Sequence, residues 1–210
     1  MTMKGLGRNT VAISQSWTYN FYVIKRSVRN IYHDETPWRI NMNIRYGNID
    51  DAKMLSELGA KTFYDSFARD NTPENITIYL KKSFSIDIQK TELSNSEIVF
   101  LIAEMEGIPV GYVKLNLNHD HDSQIDPKAM ELERIYAEQE YIGKGVGKEL
   151  MQACRNEAKQ RGCDRIWLGV WEKNPRAIGF YKKWGFKEVG THTFMLGNDP
   201  QRDFILELEL

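Results

Sequence analysis

The residues with the clearest chemical content are Ile142-Gly143-Lys144-Gly145-Val146-Gly147, followed by Lys148. Alternating glycines let a backbone approach a ligand with no Cβ in the way. The loop lies between an apolar stretch, Met130 to Ala137, and a helix-forming one, so it reads as strand, loop, helix. Amides at such a turn converge beside a helix N-terminus. There N–H donors and the helix dipole favour phosphate oxygens, and Lys144 and Lys148 can add positive charge. A P-loop needs four residues between its outer glycines and a hydroxyl after the lysine. Here three separate Gly143 from Gly147, and Glu149 follows Lys148, so that reading is rejected. A dinucleotide fingerprint is Gly-x-Gly-x-x-Gly near the first strand, whereas this loop is Gly-x-Gly-x-Gly and falls late in the chain. A strand-to-helix turn that holds no ligand stays open on the loop alone.

The elements that must position this loop follow from periodicity. Met42 to Tyr46 opens a first strand, and Asp50 is expected to cap a helix bearing Met54, Leu55, Leu58, Phe63 and Phe67. Asn71-Thr72-Pro73 begins a second helix, with Pro at the first helical position. Ile98 to Ala103 and Val110 to Leu117 form a hairpin about Glu106-Gly107, and residues 119 to 128 read as a polar loop. The strand Met130 to Ala137 leads into the glycine loop and the helix Val146 to Gln160, whose apolar stripe is Leu150, Met151, Cys154 and Ala158 and whose end is Gly162. A strand Arg165 to Trp171, a helix Pro175 to Trp184, a strand after Gly185-Phe186, and an alternating strand Phe204 to Leu210 complete the chain. The order implies a mixed α/β domain around one central sheet.

The loop and its flanks resemble the GNAT superfamily of N-acetyltransferases. The acetyl-CoA signature of that family, Arg/Gln-x-x-Gly-x-Gly/Ala, is matched by residues 142 to 147 except that Ile142 stands where Arg or Gln is usual. A second motif is similar as well: Asn174, Ala177, Phe180, Tyr181, Gly185 and Phe186, in the expected order and distance. Within the family, Thr62 to Phe67 with Asn71 to Asn75, Glu131 to Tyr136, Ile166 to Asn174 and Gly190 to Phe194 look like the PaiA type of spermidine/spermine N-acetyltransferase. The resemblance spans residues 42 to 210. It implies an α/β GNAT-like domain, with a twisted, mixed but mostly antiparallel sheet and helices on both faces. It further implies acetyl-CoA as co-substrate, no metal, and acetylation of a primary amine of a polyamine such as spermidine or spermine by direct attack through a tetrahedral intermediate. On this resemblance the pantetheine arm lies along Ile135, Tyr136 and Ala137, its amides pairing with main-chain groups at 135 and 137, and Asn174 contacts the co-substrate unless it serves only as a helix cap.

Such chemistry requires deprotonation of an ammonium, stabilisation of an oxyanion and protonation of a thiolate. Tyr181 is expected to be the general acid, because a phenol keeps its proton at neutral pH. For the base, period two places Glu131 and Glu133 on one strand face with Ile135 and Ala137. Glu133 is favoured as nearer the acetyl position, and an electrostatic anchor for the amine, or a salt bridge with Arg134 or a neighbouring lysine, is the alternative role. Tyr64, Phe67, Tyr79 and Trp171 are candidates for holding an alkylammonium. His119 and His121 receive no role.

Residues 1 to 41 carry six Lys/Arg against two Asp/Glu, and the remaining chain carries 22 against 27. The acidic body suits a cationic small molecule and argues against nucleic acid. The first 41 residues read as an extension foreign to the domain, with Met42 as a candidate native start, a reading the intact mass of the natively expressed protein would test. No long apolar run suggests a membrane span. Two cysteines, Cys154 and Cys163, fit packing in a reducing cytoplasm better than a disulfide framework. The oligomeric state is open to a homodimer. Two rival functions stand beside polyamine acetylation: a protein or peptide N-acetyltransferase, and a non-catalytic acyl-CoA-binding regulatory module, against which Tyr181 and the two strand carboxylates speak.

Overall fold

The computed structural model describes residues 42–117 and 128–210. The proposed extension and the two loop histidines lie outside them. Seven strands among the described residues form one sheet: β1 Met42–Tyr46, β2 Ile98–Met105, β3 Ile108–Asn116, β4 Ala129–Ala137, β5 Arg165–Trp171, β6 Lys187–Leu196 and β7 Asp199–Glu209. Their order is β1-β2-β3-β4-β5-β7-β6. Every neighbouring pair is antiparallel except β4 and β5, which run parallel. Glu106 and Gly107, both at positive φ, turn β2 into β3, as a two-residue primed turn requires.

Helices cover both faces, as the resemblance implied. On one side lie α1 Ala52–Phe67, α2 Pro73–Phe84 and α3 Ile86–Leu93; on the other lie α4 Val146–Gln160 and α5 Pro175–Lys183. The main core joins Val146, Leu150, Met151, Cys154 and Ala158 of α4 to Val113 and Leu115 of β3, Met130 and Leu132 of β4, and Ile166, Leu168 and Val170 of β5. Burial of this helical stripe against alternate strand residues is what fixes α4 across the sheet. The opposite face packs Leu55 and Leu58 on Phe100, Ile102 and Tyr112, and Phe63 on Ile76, Phe84 and Leu196.

Two local expectations are corrected. The cap ahead of α1 is Asn48, not Asp50: Asn48 Oδ1 accepts the Asp50 N–H at 2.8 Å, and the Asp51 carboxylate accepts the Asn48 N–H at 2.9 Å. Asp51 is unavailable for anything looser because Arg45 grips both its oxygens at 2.8 Å. Helix α3, absent from the sequence reading, starts at Ser85, whose side chain accepts the Ile88 N–H. Thr72 caps α2 in the same manner, with Pro73 at the first helical position as expected.

The feature that shapes the site is in β4. Lys114 of β3 faces Arg134 and Leu115 faces Leu132, so residue 133 is an extra one on β4, a β-bulge. Beside it, β4 and β5 pair only from Ala129/Arg165 to Glu131/Trp167 and then part, although both strands continue. A gap therefore opens in the middle of the sheet.

Candidate active site

The gap between β4 and β5 is the floor of a cleft of about 150 Å³, lined on β4 by Leu132 to Tyr136 and on β5 by Gly169 to Trp171. Main-chain direction follows from one bond. The Glu138 N–H donates to Val110 C=O at 2.8 Å, so by alternation the amides and carbonyls of Ile135 and Ala137 face the opposite edge, into the gap. The side chain of Tyr136 turns away, onto Phe63 and Tyr112.

Below this edge lies the glycine loop. Gly143 and Gly145 have φ of 81° and 95°, and a Cβ at either would meet no heavy atom within 4 Å. Gly145 is the N-cap of α4 and no side chain caps that end. The first helical amides, at Val146, Gly147 and Lys148, thus lie at a helix terminus where they have no intrahelical acceptor. The donor set suits a diphosphate, with open space where side chains would otherwise stand. Ile142, Lys144 and Lys148 are exposed, and Lys144 Nζ sits 5.1 Å above the Tyr141 ring. Gly147 differs from its two neighbours: it lies against the Phe180 ring, 3.6 Å from where a Cβ would be, and so packs α4 on α5.

Helix α5 brings Asn174, Ala177 and Tyr181 to the cleft. Asn174 is indeed a cap, its Oδ1 accepting the Ala177 N–H at 3.0 Å, which leaves its amide donors for a ligand. Tyr181 is buried, and burial raises its phenol well above the ordinary range. It is fully protonated at neutral pH.

The bulge overturns the face assigned to the two glutamates. Met130, Leu132, Ile135 and Ala137 all pack toward α4, so the period-two pattern slips by one residue at 133. Glu131 lies between two core residues and points the other way, and Glu133 reaches Lys114 on that same α1–α3 side. Both carboxylates therefore share a face with each other but not with Ile135 and Ala137. Their environments differ. Glu133 contacts Lys114 Nζ at 2.7 Å and Arg134 at 3.1 Å. Lys114 and Arg134 are almost wholly buried and also contact Glu92 of α3, at 2.6 and 3.2 Å, and Arg134 stacks 4.8 Å over Phe84. Two buried cations are thus compensated by two carboxylates, as burial demands. Glu131 has no cation at this range among the described ion pairs. Burial first, and the charge of Glu133 second, push its carboxyl up to about 7, against opposing effects from Lys114, Arg134 and a hydrogen bond with Asn116.

Of the proposed amine-binding aromatics, Phe67, Tyr79 and Trp171 line the cleft and Tyr64 does not; its side chain is exposed on α1. Phe67 meets Trp171 edge-on at 6.2 Å, and Phe63 stacks on Tyr79 at 4.4 Å. The sequence reading missed Lys114, Glu92 and Asp203. The last is an acidic side chain at the head of the alternating run Phe204 to Leu210, and it lines the cleft from β7.

This architecture matches known proteins. The sequence profile described as the acetyltransferase (GNAT) family matches residues 60–186. The chain belongs to the GNAT family. An uncharacterised N-acetyltransferase of Lactobacillus delbrueckii subsp. lactis is 33% identical over 153 residues, 73% of this chain and 88% of that protein. A spermidine N(1)-acetyltransferase of Thermoplasma acidophilum is 28% identical over 172 residues, 80% of this chain and 97% of the relative. The crystal structure of PaiA N-acetyltransferase from Thermoplasma acidophilum, in complex with coenzyme A, superposes with a TM-score of 0.68 at 26% identity, covering 80% of this chain and 99% of that one. As a GNAT enzyme the protein carries out acetyl-CoA-dependent N-acetyltransfer. Among the described residues no helix is long and apolar enough to cross a membrane.

Proposed function

We propose that this GNAT enzyme acetylates a primary amine of a polyamine such as spermidine or spermine. The observation that carries the reading is the composition of the acceptor side of the cleft. Glu133 and Asp203 line it together with Phe63, Phe67, Tyr79, Trp171 and Phe194, and Glu131 stands next to it on β4. The cations on this face, Lys114 and Arg134, are engaged by Glu92 and Glu133, so the surplus is negative. Carboxylates among aromatic faces favour alkylammonium groups. The similarity to a spermidine acetyltransferase points the same way.

The geometry supports the following roles. The amides of Gly143 and of residues 145 to 148 grip the diphosphate of acetyl-CoA; that of Lys144 is bonded to Tyr141 C=O at 3.1 Å. The free main-chain groups of Ile135 and Ala137 hold the pantetheine, and the amide donors of Asn174 contact it. Glu131, with a carboxyl near 7, takes a proton from the acceptor ammonium through one water, a role for which that value is matched to the working pH. Glu133, held by Lys114 and Arg134, attracts the cation. The freed amine nitrogen attacks the thioester carbon. The C–N bond forms, the nitrogen gives up its second proton to water, the tetrahedral oxyanion collapses, and the C–S bond breaks, with Tyr181 donating its proton to the departing thiolate and regaining one from solvent. A thiol-release assay with acetyl-CoA and spermidine, spermine, amino acids and a peptide panel tests the assignment. Spermidine and spermine are expected to give the highest kcat/KM, and turnover of peptides equal to or above that of spermidine refutes it.

A further inference from the structure

Asp203 takes part in no chemical step of the reaction, yet its surroundings are unusual for a carboxylate. It projects from β7 on the α1–α3 face, in register with Trp171 of β5 and His192 of β6. It is 8% exposed, it lines the cleft, and its Oδ1 has no hydrogen-bond partner among the described residues. Its Oδ2 lies 3.8 Å from His192 Nε2. The space over these groups exists because residue 169 is glycine: a Cβ there would stand 2.7 Å from His192 Nε2 and 3.4 Å from Asp203 Oδ2. Burial, and then the charge of Glu172, raise the Asp203 carboxyl to about 6, so at neutral pH it is a buried carboxylate with one oxygen left unbonded. A buried anion with an open acceptor oxygen costs free energy that a cationic ligand would return. Phe67, Trp171 and Phe194 line the same cleft.

Its position separates it from the reacting centre. Glu131 is level with Trp167 of β5, and Asp203 is level with Trp171. Four residues of strand are about 13 Å, and the two carboxylates belong to strands on opposite sides of β5. One ammonium cannot meet both.

Resting on the reading of this cleft as an amine-acetylating site, we propose that Asp203, walled by Phe67, Trp171 and Phe194, is the subsite for the second ammonium of a linear di- or polyamine, and sets a preference for acceptors with two amines a chain length apart. Thiol release from acetyl-CoA is measured with spermidine, 1,8-diaminooctane and octylamine, for the wild type and Asp203→Asn. In the wild type, 1,8-diaminooctane is expected to have a KM at least roughly tenfold below that of octylamine, the scale of one hydrogen bond to a charged group. Asp203→Asn raises the KM of spermidine and of the diamine roughly ten- to a hundredfold, leaves kcat within about threefold, and leaves octylamine unchanged. Because the substitution removes a buried charge whose Oδ1 has no hydrogen-bond partner, it is expected to melt at or above the wild-type temperature. Should it melt lower, the wild-type ratio of diamine to monoamine decides alone. Equal KM values for the two in the wild type, or an equal change for all three acceptors in the variant, overturn the subsite while acetyltransfer to amines stands. Peptide turnover with no turnover of any of the three amines overturns the polyamine reading and the subsite with it.

Discussion

Replacing Glu131 by Gln should make the protein more stable and nearly inactive at once. The folded protein holds this carboxyl at about 7 instead of the ordinary 4.5, chiefly because it is buried and secondarily because Glu133 is charged beside it. An acid whose folded value lies above its unfolded one is protonated first in the native state. Stability is therefore greatest below about 4.5 and declines as pH rises through 7. The interval corresponds to about 3 kcal/mol at pH 8, an upper figure because water entry and relaxation lessen it. Glutamine keeps the shape and cannot ionise, so its advantage over the wild type should vanish near pH 4.5 and grow to at most that amount at pH 8. For a chain of this size, each kilocalorie moves Tm by roughly 2–4 °C, so several degrees are expected. The same change removes the base: kcat should fall by about 10²- to 10⁴-fold, and the rise of kcat through pH 7 should disappear. Thermal melts at pH 5 and 8, alongside pH–rate profiles at saturating spermidine, measure both. Equal melting temperatures of the two proteins at pH 8, together with a surviving rise in rate near pH 7, would refute the assignment of Glu131.

Glu133→Gln should move that rise to lower pH, because one of the charges that keeps Glu131 protonated is gone; a pH–rate profile reads the direction. Tyr181→Phe is expected to lower kcat by roughly a hundredfold, in the range of a lost general acid, while calorimetry gives an acetyl-CoA Kd within about threefold of wild type. An unchanged rate removes Tyr181 from the mechanism. Gly145→Ala meets no protein atom, so its structural cost is confined to the left-handed backbone, about 1–2 kcal/mol. A rise of at least roughly tenfold in the KM of acetyl-CoA, with the acceptor KM steady, is expected if the loop closes on the diphosphate, and an unaltered acetyl-CoA KM counts against it.

What the sequence made legible was whatever repeats with a fixed period or a fixed backbone need. The stripe Leu150, Met151, Cys154 and Ala158 marks α4, whose expected bounds match to the residue, and Arg165–Trp171 emerged with its bounds intact. Helix α3 has eight residues and a polar, scarcely amphipathic makeup, so no period announced it. Phe63 and Phe67 are four apart and both turn inward, whereas Tyr64 is about 100° round the helix from Phe63 and stays outside. The larger miss was the bulge at residue 133. Strand alternation extrapolates cleanly only across an unbroken ladder, and one extra residue exchanged the faces of everything before it. The charge network had the same root: Glu92, Lys114 and Arg134 come from three separate elements, and only the folded sheet brings them within 3.3 Å. Asp203 was passed over because alternation was read from Phe204 onward, when β7 begins at Asp199.

Parted strands leave an unusual ledge inside a seven-stranded sheet. Beyond Glu131 and Trp167 the inner rims of β4 and β5 present amide and carbonyl groups with no neighbouring strand among the described residues to receive them. Only a slender, amide-bearing chain can dock there without displacing either strand, and it would act as a surrogate for the missing rungs. Binding and folding then share one set of main-chain bonds. On the binding mode proposed above, the thioester donor would mend the sheet each time it arrives, and the stretch from Leu132 to Ala137 should exchange its amide hydrogens slowly while the donor is held and faster once the spent carrier departs.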